Sequence, residues 1–381
     1  MDINNKTFIS CFSVAAVWFG THVGGGFAMG TQTVNFYSKY GWTALIMPGL
    51  AMLLLGIVFY YAYNFSRLTQ TFDYRGYVEK FYHPYDKFFA NTLDLAFIVF
   101  MCVPVGASLA GAATVFETIF GLPYLAGALI ITFIFYLSAA FGVKLIAALS
   151  SILTIVILIT LSSIAFLGID LQFDKIADII VNQRMTEGYS FFGAFSNVFV
   201  YAAFQASIAP VIAVVGILKS KKEVKITVAI GIALNAIALT VMAVLLLGWI
   251  PEAITNPLPV LTVVNDLNKP ILFWFYVVAL LAAYLSTAAT FLFSVGLRYK
   301  NAKFFDKFSK DNIFNKKPAI RTHVVIWLSL LYCLIVSLGG LMPIILVGQK
   351  AMGYAYFFLI IIPHLILGPK KCRQLENEKE S

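Results

Sequence analysis

Apolar stretches of 18 residues or more recur along nearly the whole chain. An α-helix of that length can cross the hydrocarbon core of a bilayer. Only 12% of the residues are charged and 60% are hydrophobic, whereas soluble domains carry about 25% charged residues. The sequence therefore predicts an all-α integral membrane protein with about ten transmembrane helices, called spans one to ten below. Their expected bounds are 8–37, 41–65, 88–120, 123–141, 144–167, 192–218, 225–247, 271–297, 323–338 and 341–367.

The net charge of +9 is spread over loops and does not indicate nucleic-acid binding. Of the 27 Lys and Arg residues, 22 lie in alternate loops, four lie in the other loops, and Lys350 falls within span ten. Basic loops stay on the cytoplasmic side of membrane proteins. We therefore expect a multi-pass protein of the cell membrane with both termini cytoplasmic. The four basic residues expected on the other side are Lys39, Lys175, Arg184 and Lys269.

The ten spans divide into two sets of five with similar spacing, offset by about 180 to 198 residues. Because five is odd, the second set enters the membrane from the opposite side, which is typical of an inverted-topology repeat. We predict one repeat over residues 1–170, a second over 171–369, and a cytoplasmic tail, 370–381, that is expected to be disordered because it is polar. Loop 66–87 is expected to hold a short helix, and loop 248–270 to fold back over the protein.

Span one contains three consecutive glycines, Gly24, Gly25 and Gly26. Each costs about 1 kcal/mol in a helix relative to alanine, so the sequence predicts a break here. The half-helix that begins near Phe27 would point free N–H groups and a positive dipole end at the break. Such a site suits a carboxylate or another anionic group. The carbonyls that end the preceding half-helix suit a cation.

Span six is interrupted at the corresponding position. Gln205 and Ser207 bring polar atoms to mid-membrane, and Pro210 is suited to the first turn of a new half-helix. Paired breaks are the best sequence indication of a transport site. We therefore expect the glycines and Phe27 to bind the substrate opposite a wall formed by Phe204, Gln205 and Ser207. The alternative is that the glycines serve close helix packing and Pro210 is an ordinary kink.

The stretch 24–32, Gly-Gly-Gly-Phe-Ala-Met-Gly-Thr-Gln, resembles the first helix of the YkvI family of the amino acid–polyamine–organocation superfamily, where it reads roughly Gly-x-Gly-Phe-Ala-x-Gly-Gln-Glu. The resemblance implies a LeuT-type fold, with five plus five inverted helices and helices one and six unwound around a central site, and it implies a secondary transporter. Thr31 and Gln32 replace the Gln and Glu of the family, which argues against a cation or proton role at position 32. Further similar residues are Phe36, Tyr37, Gly41, Trp42, Gly106, Gly111, Glu117, Gly121, Leu122 and Pro123.

Several ionisable residues fall inside spans, where charge is costly. Asp94 and Glu117 lie near the two ends of span three, and Lys350 lies in the outer half of span ten. Each is either functional or reaches an interface with its polar end. His22 lies one turn before the glycines and titrates near neutral pH when unperturbed. It is either a proton-coupling group or a structural, hydrogen-bonded histidine.

Ser286 and Thr287 are adjacent hydroxyl residues in span eight. In the LeuT-type fold, adjacent hydroxyls on helix eight join carbonyls of helix one around sodium, so the resemblance implies a Na⁺ site here. Oxygen ligands suit this hard cation. The alternative is that both hydroxyls bond to carbonyls of their own helix. No other metal and no organic cofactor is expected.

The sequence has no HExxH, GxSxG or P-loop motif, which disfavours an enzyme or an ATP-driven pump. We interpret the chain as a secondary active transporter that moves a small polar metabolite, an amino acid or a related compound, across the lipid bilayer by alternating access. Na⁺ and H⁺ are the alternative coupling ions. A passive channel or uniporter, or a membrane sensor without transport, would also accommodate ten spans.

The distribution of Lys and Arg predicts the topology of the chain. A reporter fused after Ser381 should be active only on the cytoplasmic side, because that end follows an even number of spans that start in the cytoplasm. The same reporter inserted in loop 248–270 should report the outside. A reporter after Ser381 that appears outside would contradict the ten-span topology.

Overall fold

A computed structural model of the chain describes residues 5–22, 24–140, 143–299 and 318–380. Most of the basic loop after span eight, 300–317, lies outside the described residues. The helices of the first half are α1 (Asn5–His22), α2 (Gly25–Met29), α3 (Thr31–Phe36), α4 (Met47–Thr69), α5 (Tyr74–Phe81), α6 (Asp86–Phe100), α7 (Pro104–Phe120), α8 (Tyr124–Ala140), α9 (Val143–Leu171) and α10 (Phe173–Val181). Those of the second half are α11 (Phe191–Phe204), α12 (Ile208–Ile212), α13 (Lys221–Leu247), α14 (Pro259–Asp266), α15 (Pro270–Tyr299), α16 (Pro318–Ser337), α17 (Leu341–Pro343), α18 (Lys350–Tyr356) and α19 (Ile362–Glu380).

Six helical segments of the described residues are long and apolar enough to cross a membrane: α4, α6 with α7, α13, α15, α16 and the segment from α17 to α19. α9 bends by 80° into α10, and this pair is a seventh if it is counted as one span. α8 and α11 are apolar but shorter, with 17 and 14 residues. With α1 these elements match the ten expected spans, which confirms the prediction of an all-α, multi-pass fold.

Loops predicted to share one side of the membrane do meet in space. Lys221 Nζ, at the start of α13, lies 2.7 Å from Glu376 Oε2 of α19. Lys371 Nζ, also of α19, donates to the carbonyl of His83 at 3.1 Å, just after the helix α5 that was expected in loop 66–87. These three regions form what we call the basic face.

The remaining loops meet on the opposite face. Trp42 N donates to the carbonyl of Arg184 at 3.0 Å, and Lys175 Nζ donates to the carbonyl of Gly248 at 2.8 Å. α11 begins here, since the ring of Phe191 stacks on that of Trp42 with centroids 6.3 Å apart. α1 begins at the basic face, so spans one and six run in opposite directions, as an inverted repeat requires.

The prediction that the tail is disordered is wrong, because α19 continues to Glu380. The side chain of Glu376 accepts hydrogen bonds from Lys221 and from Asn64 Nδ2, the latter at 3.0 Å. Cys372 is buried one turn earlier, at 4% exposure. The polar residues of the tail therefore have partners on α4 and α13, which a composition-based expectation of disorder does not take into account.

Trp18 joins three spans in the core on the basic side of the breaks. Its side chain is fully buried and its ring contacts that of Phe59 on α4, with centroids 4.8 Å apart. On the other side it lies against Gly231 of α13, where an added Cβ would be 2.2 Å from the ring. The glycine therefore permits the close approach of α1 and α13.

Replacing Gly231 by Ala should lower the stability of the protein. The new methyl group would force Trp18 to move, and overpacking of this kind costs about 1–3 kcal/mol. Gly20→Ala is the matched control on α1, because nothing lies within 4 Å of the point that its methyl group would occupy. Thermal unfolding of detergent-purified protein should show a lower midpoint for Gly231→Ala only. Equal midpoints for the two variants would contradict this packing.

Candidate functional site

Span one is broken at the predicted glycines. α1 ends at His22, Gly24 is extended with φ −105° and ψ −169°, and α2 begins at Gly25. A second bend follows at Gly30, whose φ of +86° lies in the left-handed region that favours glycine. The chain therefore changes direction twice before α3 continues toward the opposite face.

Span six is broken at the corresponding depth. α11 ends at Phe204 and α12 begins at Ile208, with Ser207 extended at φ −73° and ψ 98°. Pro210 falls in the first turn of α12, where its missing N–H leaves no hydrogen bond unmade. Both predicted breaks are therefore present.

The two breaks are joined by hydrogen bonds. His22 Nε2 lies 3.2 Å from the carbonyl oxygen of Gln205. Because a carbonyl only accepts, the ring nitrogen must be the donor. The amides of Gln32 and Gln205 both donate to the hydroxyl of Tyr201, at 2.9 Å and 3.0 Å. In this structure the ring of His22 is thus hydrogen-bonded between the two breaks.

Span eight supplies the third side. The backbone N–H of Gly25 points to Thr287 Oγ1 at 3.4 Å, and a Cβ on Gly24 would be 2.8 Å from that oxygen. The structure therefore brings Thr287 to the first break, as the resemblance implied. Ser286 precedes it on α15 and is half-buried.

Gly25 also has a packing role. A Cβ at this position would lie 2.3 Å from the ring of Tyr284, and a Cβ at Gly111 on α7 would lie 2.5 Å from the hydroxyl of the same residue. Tyr284 is fully buried between them. In this conformation Gly25 thus allows the close approach of the Tyr284 ring. A side chain there would displace Tyr284 before it could affect a ligand. Gly26 instead faces a flexible side chain, since its Cβ would meet Gln32 Oε1 at 2.5 Å.

Aromatic side chains and a loop cover the breaks toward the opposite face. The rings of Phe204 and Phe36 stack with centroids 6.1 Å apart. Thr31 Oγ1 donates to the carbonyl of Pro257 at 2.6 Å, which attaches the loop 248–270 above α2 and α3. This loop folds back over the protein as expected. Phe27 is buried and packs in the core near His22.

A cavity of about 1270 Å³ opens from the basic face and reaches Ser207 and Ile208. Its other walls are formed by α5, α6, the end of α15, and Tyr356 and Ile360 of span ten. Of the residues predicted to bind substrate, Ser207 is the one that lines this cavity; the others lie deeper. In the part of the chain that the structure describes, the cavity therefore opens to the basic face, and aromatic rings and the loop 248–270 cover the breaks toward the other face.

The polar residues noted within spans have different environments. Asp94 forms an ion pair with Arg298 in the cavity wall. The Arg298 guanidinium lies over the ring of Tyr74, 4.6 Å from its centroid. Glu117 is exposed at the end of α7, and Lys350 is half-buried. Asp94 is thus paired with Arg298.

Sequence reasoning missed Tyr201, Tyr284 and Arg298. Tyr201 precedes Gln205 by four residues and Tyr284 precedes Thr287 by three, spacings that place each pair on one helix face. This periodicity could have indicated both. Arg298 was counted as a loop residue because it lies next to the basic segment that follows α15.

No family model matches the sequence, and no curated protein matches it. Solved structures do resemble the fold. A Na⁺-coupled sialic acid symporter, substrate-bound and outward-open, is 16% identical, with a TM-score of 0.65 over 93% of this chain and 79% of that one. MhsT in complex with L-phenylalanine is 15% identical, with a TM-score of 0.62 over 95% and 97% of the two chains.

Mhp1 in an inward-facing conformation is also 15% identical, with a TM-score of 0.61 over 92% of this chain and 75% of that one. At such identities the similarity establishes the fold. The chain has the LeuT-type fold, and in the described residues its first and sixth spans are broken, as the resemblance implied.

Proposed function

We propose that this protein is a secondary active transporter of a small polar metabolite, an amino acid or a related compound, that works by alternating access. The observation that carries the proposal is the cavity that runs from the basic face to the break in span six and ends at Ser207 and Ile208. A cavity that connects one face with the break of a broken helix at mid-membrane is what one state of such a transporter requires.

Two alternatives fit this geometry less well. A passive channel needs a path that is open to both faces, whereas the layer of Gln32, Tyr201 and Gln205 and the loop 248–270 lie beyond the cavity. A sensor without transport does not require a cavity of about 1270 Å³ that reaches mid-membrane.

The solved structures of the same fold support the substrate class. Their names describe symport of sialic acid and a complex with L-phenylalanine, which are small polar organic molecules, and none describes an enzyme. We extend this class to the present chain together with membership of the YkvI family, for which the glycine motif of span one is the support.

We place the substrate between the two breaks. Ser207 lies at the end of the cavity, and Gln205 and Phe204 lie behind it. Gly24, Gly25 and Gly26 would face the anionic end of the substrate with their backbone N–H groups, because the first turn of a helix carries N–H groups without an intrahelical acceptor. The N–H of Gly25, which points to Thr287 in this structure, would turn to the substrate. Tyr284 and Gln32 would have to move aside as the substrate enters.

We place the coupling cation beside Thr287. Its hydroxyl oxygen lies 3.4 Å from Gly25 N, at the point where α1 ends with free carbonyl groups. Ser286 would supply a second oxygen. Na⁺ is favoured over H⁺ because His22 donates to the carbonyl of Gln205 and is thereby occupied in joining the two breaks.

A ligand screen with and without Na⁺ tests the transporter proposal and the cation site. Detergent-purified protein should be stabilised against heat by one class of small polar metabolite, since a ligand that binds the folded state raises the unfolding midpoint. Na⁺ should increase this stabilisation. The double variant Ser286→Ala, Thr287→Ala should lose the effect of Na⁺ but keep that of saturating ligand.

Thr290→Ala is the matched control, because this hydroxyl lies one turn further along α15 and donates to the carbonyl of Ser286 at 2.8 Å. An unchanged Na⁺ dependence in the double variant would refute the cation site. If Na⁺ did not change the stabilisation of the wild type by ligand, H⁺ would be the next candidate coupling ion, and His22 would be tested first. Uptake that never saturates with substrate would favour the channel.

The direction in which the cavity opens gives a separate prediction. In a Cys102→Ser background, a cysteine at Ser207 should react with a membrane-impermeant thiol reagent added to the basic face. A cysteine at Thr31, which is 2% exposed, should be protected from both faces. Binding of substrate should slow the reaction at Ser207. Faster labelling of Ser207→Cys from the opposite face would contradict the observed opening.

A further inference from the structure

Lys39 is a buried cation on the opposite face. It lies in the connection between spans one and two, within the 3₁₀ helix Ser38–Leu45, and is 7% exposed. Its Nζ lies 5.4 Å from the ring centroids of Tyr40 and Tyr189 and donates to Asn35 Oδ1 at 2.9 Å. One of its three ammonium N–H groups thus has an amide oxygen as acceptor, and the two rings contact the ammonium through its charge.

The orientation of the Asn35 amide is fixed by this contact. Because an ammonium group has no acceptor, the amide must turn its oxygen toward Lys39 and its nitrogen away. Asn35 Nδ2 is buried and has no hydrogen-bond partner among the described residues. A buried donor without an acceptor costs about as much as a lost hydrogen bond, so an acceptor is expected at this point.

Span ten brings a second cation to the same place. Its π-helical stretch, Ile344–Gln349, packs on α3, which carries Asn35, and Lys350 follows directly. Burial and the charge of Lys350 lower the pKa of Lys39 to about 8. The packing of this stretch on α3 places the backbone of Lys350 in the neighbourhood of Asn35 and Lys39.

Neither lysine is paired with an acid in the part of the chain that the structure describes. On the same face, Asp178 is already bound to Arg184 at 2.9 Å. Aromatic faces stabilise a single cation, but they do not explain why a second positive charge and an unsatisfied amide donor lie beside it. Buried charges are normally paired.

We propose that Lys39, Lys350 and the amide nitrogen of Asn35 form a binding site for a monovalent anionic group, a carboxylate or a halide ion, on the closed side of the protein. All three supply donors, and together they carry two positive charges. The site is buried and lies beyond the Gln32–Tyr201–Gln205 layer from the cavity, on the side of the opposite face.

The anionic group has two possible sources, a free inorganic anion or the carboxylate of a transported molecule. The second source rests on the proposed function, whereas the first does not. Chloride is the probe for the inorganic source and acetate the probe for the carboxylate. Both supply a single negative charge with lone pairs for Lys39 and Asn35.

The experiment measures the thermal unfolding of the detergent-purified full chain at constant Na⁺ and ionic strength. Chloride or acetate replaces the bulky sulfonate anion of MES in steps. The wild type should show a saturable rise in the unfolding midpoint with at least one of the two anions. Saturation by chloride identifies an inorganic ligand, and saturation by acetate alone identifies a carboxylate site.

Lys350→Gln and Lys39→Gln should each raise the half-saturating anion concentration by about tenfold or more, because each removes a charge-assisted hydrogen bond. Asn35→Asp should abolish the response while keeping the protein folded, since the new carboxylate takes the place of the anion between the lysines. Lys269→Gln removes an exposed lysine of the same face and should leave the response unchanged.

A wild type whose midpoint responds to neither anion would overturn the proposal. So would a response that Lys350→Gln and Asn35→Asp both retain, since the effect would then be one of general ionic environment. The anion titration and the Na⁺-dependent ligand screen are independent experiments. If the anion site is refuted, the proposed transport function still stands, and if the transport function is refuted, an inorganic anion site still stands.

Discussion

The fold depends on how the backbone groups of two broken helices are satisfied at membrane depth, where water is not available and each unsatisfied group costs several kcal/mol. His22 donates to the carbonyl of Gln205 across the two breaks. Tyr276 of α15 donates to the carbonyl of Ala28 at 3.1 Å. Thr287 accepts from the N–H of Gly25. The breaks therefore persist because side chains from other spans replace hydrogen bonds that a continuous helix would make internally.

The partners of the breaks come largely from α15, and this explains the distribution of glycine around that helix. Tyr284 is wedged between Gly25 and Gly111, so α2, α7 and α15 approach one another closely. The glycines of span one thus serve two purposes. They interrupt the helix, and they leave space for the side chains that form hydrogen bonds with the backbone at the interruption. Close packing, one of the two alternatives that the sequence left open for these glycines, is seen at Gly25.

The parts of the fold that the sequence predicts are those set by local chemistry. Apolar length indicates the spans, and the glycines before Phe27 and the proline at 210 indicate the breaks, because both act within a few residues. The helical tail was missed because the order of Glu376 depends on Lys221, 155 residues away. Tyr284 was missed for the same reason, since its role arises from contacts with two other spans.

The closed side of the protein is held by interactions of modest strength. One hydroxyl, that of Tyr201, accepts from two amides, and Phe36 stacks on Phe204. A hydrogen bond of this kind contributes about 0.5–1.5 kcal/mol net, and its groups can bind water or ligand once separated. Two conformations that differ by a few kcal/mol can be redistributed by a ligand that prefers one of them to that extent. The free energy needed to separate these groups thus lies within the range that the binding of a small molecule and an ion supplies. A layer of packed aliphatic side chains at the same depth would offer no such exchange, which is a physical reason for amides and a phenol at this position.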